Sequence, residues 1–72
     1  MIDKPFAYHK PSPDGLIRIT HLRDAFSVVK RAIEAQCPES RQRAVALTEL
    51  ETSAMWAIKA VVFNDPGSEV EP

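Results

Sequence analysis

Two side chains of this chain carry the types and settings that binding chemistry needs: the guanidinium of Arg23 and the ring of Tyr8. Arg23 adjoins Leu22 and Phe26 on an apolar seam. An arginine partly dried there by a neighbouring chain can fork onto phosphate oxygens. Tyr8 stands three residues before Pro11 on a proline-punctuated arm, from which its ring can lie across a nucleobase. The alternative is that Tyr8 and Phe6 staple the arm onto the body, and composition alone favours it. Trp56 has the same ambiguity; it sits one residue before the seam position Ala57, which favours packing. Arg18, Lys30, Arg31, Arg41, Arg43 and Lys59 fall on the same elements or their ends, and Arg18 and Arg31, with Glu34, read as a solvated face.

Catalysis finds no footing. His9, His21 and Cys37 lack metal-ligand spacing, so no metal or cofactor is expected. Ser12 and Ser40 have no adjacent base and read as helix caps rather than nucleophiles. Pro13-Asp14-Gly15 offers one glycine and no lysine, so it is not a phosphate loop. The expectation is a binding protein and not an enzyme.

The elements that must position these residues are few. Seventy-two residues allow one small domain, near the size at which a lone core is marginal and oligomerisation, metals or disulfides assist. A single cysteine excludes an internal disulfide and suits a reducing cytosol. No apolar run approaches membrane-spanning length, and no signal peptide is expected in the N-terminal MIDKPFAYHKP, broken by prolines. The net charge of -1 hides an acidic tail (Asp65, Glu69, Glu71) on a mildly basic body, too weakly basic for a duplex-binding protein.

Three parts follow: an arm over residues 1–11, a helical hairpin over 12–64 and an acidic tail over 65–72 expected to be disordered. Ser12-Pro13-Asp14 announces the first helix as cap, first-turn proline and dipole-complementing acid. Gly15 weakens that turn and leaves room for a close approach by another backbone or a ligand. Ile19, Leu22, Phe26, Val29 and Ile33 then repeat at steps of three and four. The helix is expected to end near Ala35 or Gln36, before Pro38, and Ser40 caps the second. So short a connection makes the helices antiparallel neighbours. Leu47, Leu50, Ala54, Ala57 and Val61 form the matching seam, and Asn64-Asp65-Pro66-Gly67 ends the helix. No strand pattern is visible. The second helix carries a further stripe, Met55, Ile58 and Val62, which one partner helix cannot also cover. The fold class is therefore all-α, an antiparallel two-helix hairpin preceded by an arm that is extended or contains a short helical turn. The surplus stripe points to assembly as a compact homo-oligomer.

Several segments together resemble a known family. Tyr8-His9, Ser12-Pro13, Leu22-Arg23-Asp24-Ala25-Phe26, Pro38-Glu39-Ser40-Arg41, Ala46-Leu47-Thr48-Glu49-Leu50-Glu51, Met55-Trp56-Ala57 and Lys59-Ala60-Val61 are similar to the helical hairpin of phage anti-CBASS sponges, a domain shared with anti-Thoeris sponges. The second-helix motif is the specific part. The resemblance implies a hexamer in the host bacterial cytosol that sequesters cyclic nucleotide messengers of bacterial immunity without cleaving them. It implies that Tyr8 stacks on a base of a cyclic dinucleotide and that Arg23 grips its phosphates. It implies that His9 and Lys59 contact a cyclic trinucleotide at a separate site, His9 standing where an amide is common and Lys59 where arginine can occur. The sheet portion of the anti-Thoeris relatives is not expected, which argues against cyclic ADP-ribose ligands. The competing expectation is a small phage or prophage adaptor whose apolar stripe binds a host protein.

Overall fold

Ser12 ends the arm and starts the first helix. Its hydroxyl oxygen accepts the Gly15 N–H at 3.1 Å, and Pro13 fills the first helical position, where a missing N–H costs nothing. In the computed structural model, which describes residues 8–67 and 69–71, the order is β1 (Tyr8–Lys10), α1 (Pro13–Gln36), α2 (Arg41–Phe63) and β2 (Glu69–Glu71). Helix α1 stops at Gln36, and the Cys37 N–H still closes onto the Ile33 carbonyl at 2.9 Å. Ser40 caps α2 by accepting the Arg43 N–H at 3.1 Å. At the far end Asn64 donates its side-chain amide to the Ala60 carbonyl at 2.8 Å, satisfying one of the orphan acceptors of a helix terminus. The expected hairpin is present, with α1 packed on α2.

The two seams meet as their spacing requires. Ile19 is buried at 5% exposure, and Leu22, Phe26, Ile33, Leu47, Leu50, Ala54, Ala57 and Val61 are half-buried. Val29 departs from the expected seam and is 44% exposed. At 3.6 residues per turn it lies about 80° around α1 from Ile19, at the edge of the contacting face.

The termini add a short strand pair to the helical hairpin. Within the described part of the arm, Tyr8–Lys10 form a strand: β1 pairs antiparallel with β2, Tyr8 opposite Glu71, His9 opposite Val70 and Lys10 opposite Glu69. Residues 69–71 of the tail are thus paired backbone to backbone with 8–10. Three residues per strand are too few to display a period of two, so no alternation betrays them. What aligns them is the hairpin itself, which returns the chain to its starting end. The Phe6 expectation lies outside the described residues.

Nothing covers the long faces among the described residues. The molecule measures 46 × 24 × 12 Å, a single layer of helices. Met55 is 57% exposed, Ile58 and Val62 are only half-buried, and Leu16, Ile17 and Val28 of α1 are exposed as well. A layer of this kind ordinarily needs a second layer against it.

Candidate functional site

The best-defined polar construction joins the two ends of the hairpin. Asp65, just beyond α2, accepts the Ser12 backbone N–H at 2.9 Å and the Ser12 hydroxyl at 2.8 Å through one carboxylate oxygen. Its other oxygen accepts the Gly67 N–H at 3.0 Å. Backbone and hydroxyl donation from Ser12 hold the Asp65 carboxyl below its ordinary 3.8; partial burial opposes this, while Gly67 and the charge of Arg18 add to it. Gly15 is explained by the same contact, because a Cβ there would collide with the Asp65 carboxylate. The close approach expected at Gly15 therefore comes from this chain's own side chain. A Cβ at Gly67 would sit 2.8 Å from the Ser12 Cβ, so both glycines of the chain make room for this clamp. A concavity of about 450 Å³ opens beside it, edged by Asp14, Arg18, Asn64 and Pro66.

A second concavity, about 430 Å³, runs between the helices. Phe26, Leu47, Leu50 and Ala54 line it, with Lys30 and Glu51 at its rim. Near the closed end, Arg43 is half-buried and its Nε atom has no hydrogen-bond partner.

The four residues singled out for ligand contact are distributed rather than gathered. Tyr8 and His9 lie on β1, which runs against α2; their side chains are outside the described set. Arg23 is exposed on α1, about 15 Å along the helix from its first residue. Neither of the two concavities includes Arg23. Lys59 is half-buried on α2, and its ammonium lies 5.1 Å from the ring centroids of both Trp56 and Phe63. Cations attract aromatic faces at this range without being neutralised.

Sequence reasoning passed over this cluster. The sequence favours packing for Trp56; in the structure it is 58% exposed and its ring carries Lys59. The signal was available: Trp56 and Phe63 stand three before and four after Lys59, the spacings that share one helix face. Asp65 was passed over for another reason, since its partner lies 53 residues away. The Asp14–Arg18 pair, at 3.1 Å with both side chains largely exposed, is a minor helix-surface contact.

Among the described residues, no group of three His, Cys, Asp or Glu side chains is placed to hold a metal ion. Nor is any described helix long and apolar enough to cross a membrane. Comparison with curated proteins and with solved structures returned no match. The family comparison did: residues 1–62 match the family described as Acb2/Tad1, hairpin domain. The match takes in β1, α1 and all but the last residue of α2, and on that extent the chain belongs to the Acb2/Tad1 hairpin family, the anti-CBASS and anti-Thoeris sponges.

Proposed function

We propose that this chain is a phage immune-evasion protein that binds and sequesters cyclic di- and trinucleotide messengers of bacterial CBASS defence, without cleaving them, in the cytosol of the infected cell. The match of residues 1–62 to the sponge hairpin carries this reading. The distribution of the candidate residues supports a multi-chain site. Arg23 projects from an exposed position on one helix while Tyr8 belongs to the strand at the open end, so a pocket using both draws on neighbouring protomers. The uncovered apolar faces supply the surfaces on which copies would meet, as a homohexamer in this reading. Closed symmetry repeats each pocket around the particle, which suits a protein that titrates its ligand instead of turning it over.

In this proposal Tyr8 stacks on a base of the dinucleotide and Arg23 grips its phosphates, while His9 and Lys59 serve the trinucleotide at a distinct site. The same apolar faces would serve an adaptor for a host protein, and ligand binding separates the two. At 100 times its dissociation constant a ligand stabilises the fold by about 2.7 kcal/mol, so a thermal-shift panel of cyclic di- and trinucleotides reads the difference. No shift with any member favours the adaptor. Calorimetry then tests the residues: Tyr8→Ala and Arg23→Ala should each weaken cyclic dinucleotides about tenfold or more, given about 1–3 kcal/mol per stacked base and a similar figure for a charge-assisted hydrogen bond. Lys59→Ala should weaken trinucleotides alone. Equal loss of both ligand classes in every oligomeric variant would mean one shared pocket and a wrong assignment. Recovery of intact ligand after heat release checks that the protein sequesters and does not cleave.

A further inference from the structure

The surroundings of Lys59 are unusual for a lysine on a helix. Its ammonium is 5.1 Å from the Trp56 centroid and 5.1 Å from the Phe63 centroid, both inside the range in which a ring face attracts a cation. Trp56 precedes it by three residues and Phe63 follows by four, so one helix face carries all three. Among the described residues, no carboxylate lies within salt-bridge distance of it; the ion pair found there is Asp14–Arg18. Lys59 is half-buried all the same.

The choice of rings over a carboxylate has a chemical consequence. A carboxylate that held the ammonium would neutralise it and repel an arriving phosphate. Two aromatic faces restrain the ammonium and leave its charge whole. Restraint matters for lysine in particular, since its four-carbon stem is flexible and its ammonium lacks the planar fork of arginine. Ordering that stem before the ligand arrives removes a cost otherwise met on binding.

We propose that Trp56 and Phe63 are positioning residues, which hold the Lys59 ammonium in place and uncompensated as a phosphate anchor for a cyclic trinucleotide. This rests on the sponge reading and adds to it two residues and a reason why lysine suffices where a guanidinium would fork.

The test uses the full chain, cyclic triadenylate and a cyclic dinucleotide as probes, and calorimetry on variants whose oligomeric state matches the parent. Trp56→Leu should weaken cyclic triadenylate at least tenfold and leave the dinucleotide within twofold; Trp56→Phe, which keeps a ring face, should recover most of the loss. Phe63→Leu should behave like Trp56→Leu. A second readout needs no ligand and no substitution at the rings. Trp56 is the single tryptophan of the chain, so its emission reports the ammonium beside it, and Lys59→Met should brighten it by removing a proton-donating quencher. Unchanged emission in Lys59→Met overturns the contact. Equal loss of both ligands in Trp56→Leu makes Trp56 a residue common to both sites and overturns the positioning role. So does a parent that binds cyclic triadenylate while Trp56→Leu binds it equally well, and in that case the sponge reading survives. A parent that binds neither probe overturns both together.

Discussion

At the open end of the hairpin the Ser12 hydroxyl accepts from Gly15 and donates to Asp65, 53 residues along the chain. At the closed end the Ser40 hydroxyl accepts from Arg43 and donates to the Pro38 carbonyl, two residues back. The two caps do the same work for their helices and differ in everything beyond. The closed end is held by chain connectivity, so its cap can stay local. The open end has no such connection, and there the cap is built into a clamp: Asp65 ties α2 to the first turn of α1, two glycines clear the space, and β1 pairs with β2 just outside. Both ends are thus closed by contacts within the chain, while the long faces between them keep Met55, Trp56, Leu16 and Ile17 exposed. The polar contacts that close the hairpin sit at its ends, and the apolar surface left exposed lies along its sides.

The largest expected effect tests that division directly. In the proposed assembly Ile58→Asp puts a charge on the stripe where copies would meet and should dissociate or unfold the protein, an unpaired charge in a dry interface costing several kcal/mol. Sedimentation and far-UV circular dichroism read it. Wild-type mass and melting temperature in this variant would mean that the clamped ends carry the fold and the sides need no partner.

Gly15→Ala comes next. Alanine improves an exposed helix interior by about 1 kcal/mol, but here its methyl collides with the Asp65 carboxylate, so a net loss of about 1–3 kcal/mol is expected. Denaturant titration should show the loss turning into a gain when Asp65→Gly is added. A gain in the single variant would mean the clamp yields freely.

The serines themselves give a smaller contrast. Ser12→Ala should fall near the upper end of the range of about 0.5–2 kcal/mol for cap removal, and Ser40→Ala near the lower end, because only the first also strips a donor from Asp65. Equal costs would reduce the clamp to a cap.

The smallest effect is in pH. Asp65 is held below 3.8 in the folded chain, so its contribution is fully present above 3.8 and is lost as pH falls through the lowered folded value. Melting temperature between neutral pH and about pH 3 should therefore drop more for the parent than for Asp65→Asn. Parallel curves would show that the carboxylate gains nothing from its Ser12 donors.

The parts legible in the sequence were those whose signals are local. Ser12-Pro13-Asp14, Pro38 and Ser40 mark helix boundaries within a turn of where they act, and the three-four spacing of Ile19, Leu22 and Phe26 names the packed face without further context. The unsatisfied stripe was legible too, as an excess of apolar positions over available partners. The Asp65 clamp was not, because an aspartate before Pro66-Gly67 reads as a turn residue until the hairpin brings Ser12 beside it. The strands failed on length, and Val29 on the drift between a seven-residue repeat and the helical period. Around the site, the grip of Trp56 and Phe63 on Lys59 could have been found by looking along one face, three and four residues either way.

The strand pairing of Tyr8 with Glu71 also makes the molecule nearly circular. The chain leaves β1, travels out along α1, turns at Cys37–Ser40, and comes back along α2 to lie beside its own origin. It therefore has two corners of similar standing, one covalent and one hydrogen-bonded. Bridging β2 to β1 with a few residues and cutting the backbone at the Cys37–Ser40 turn would exchange their roles while keeping both helices whole. In such a permuted chain α2 would be made first and α1 second, with the helix pair unchanged.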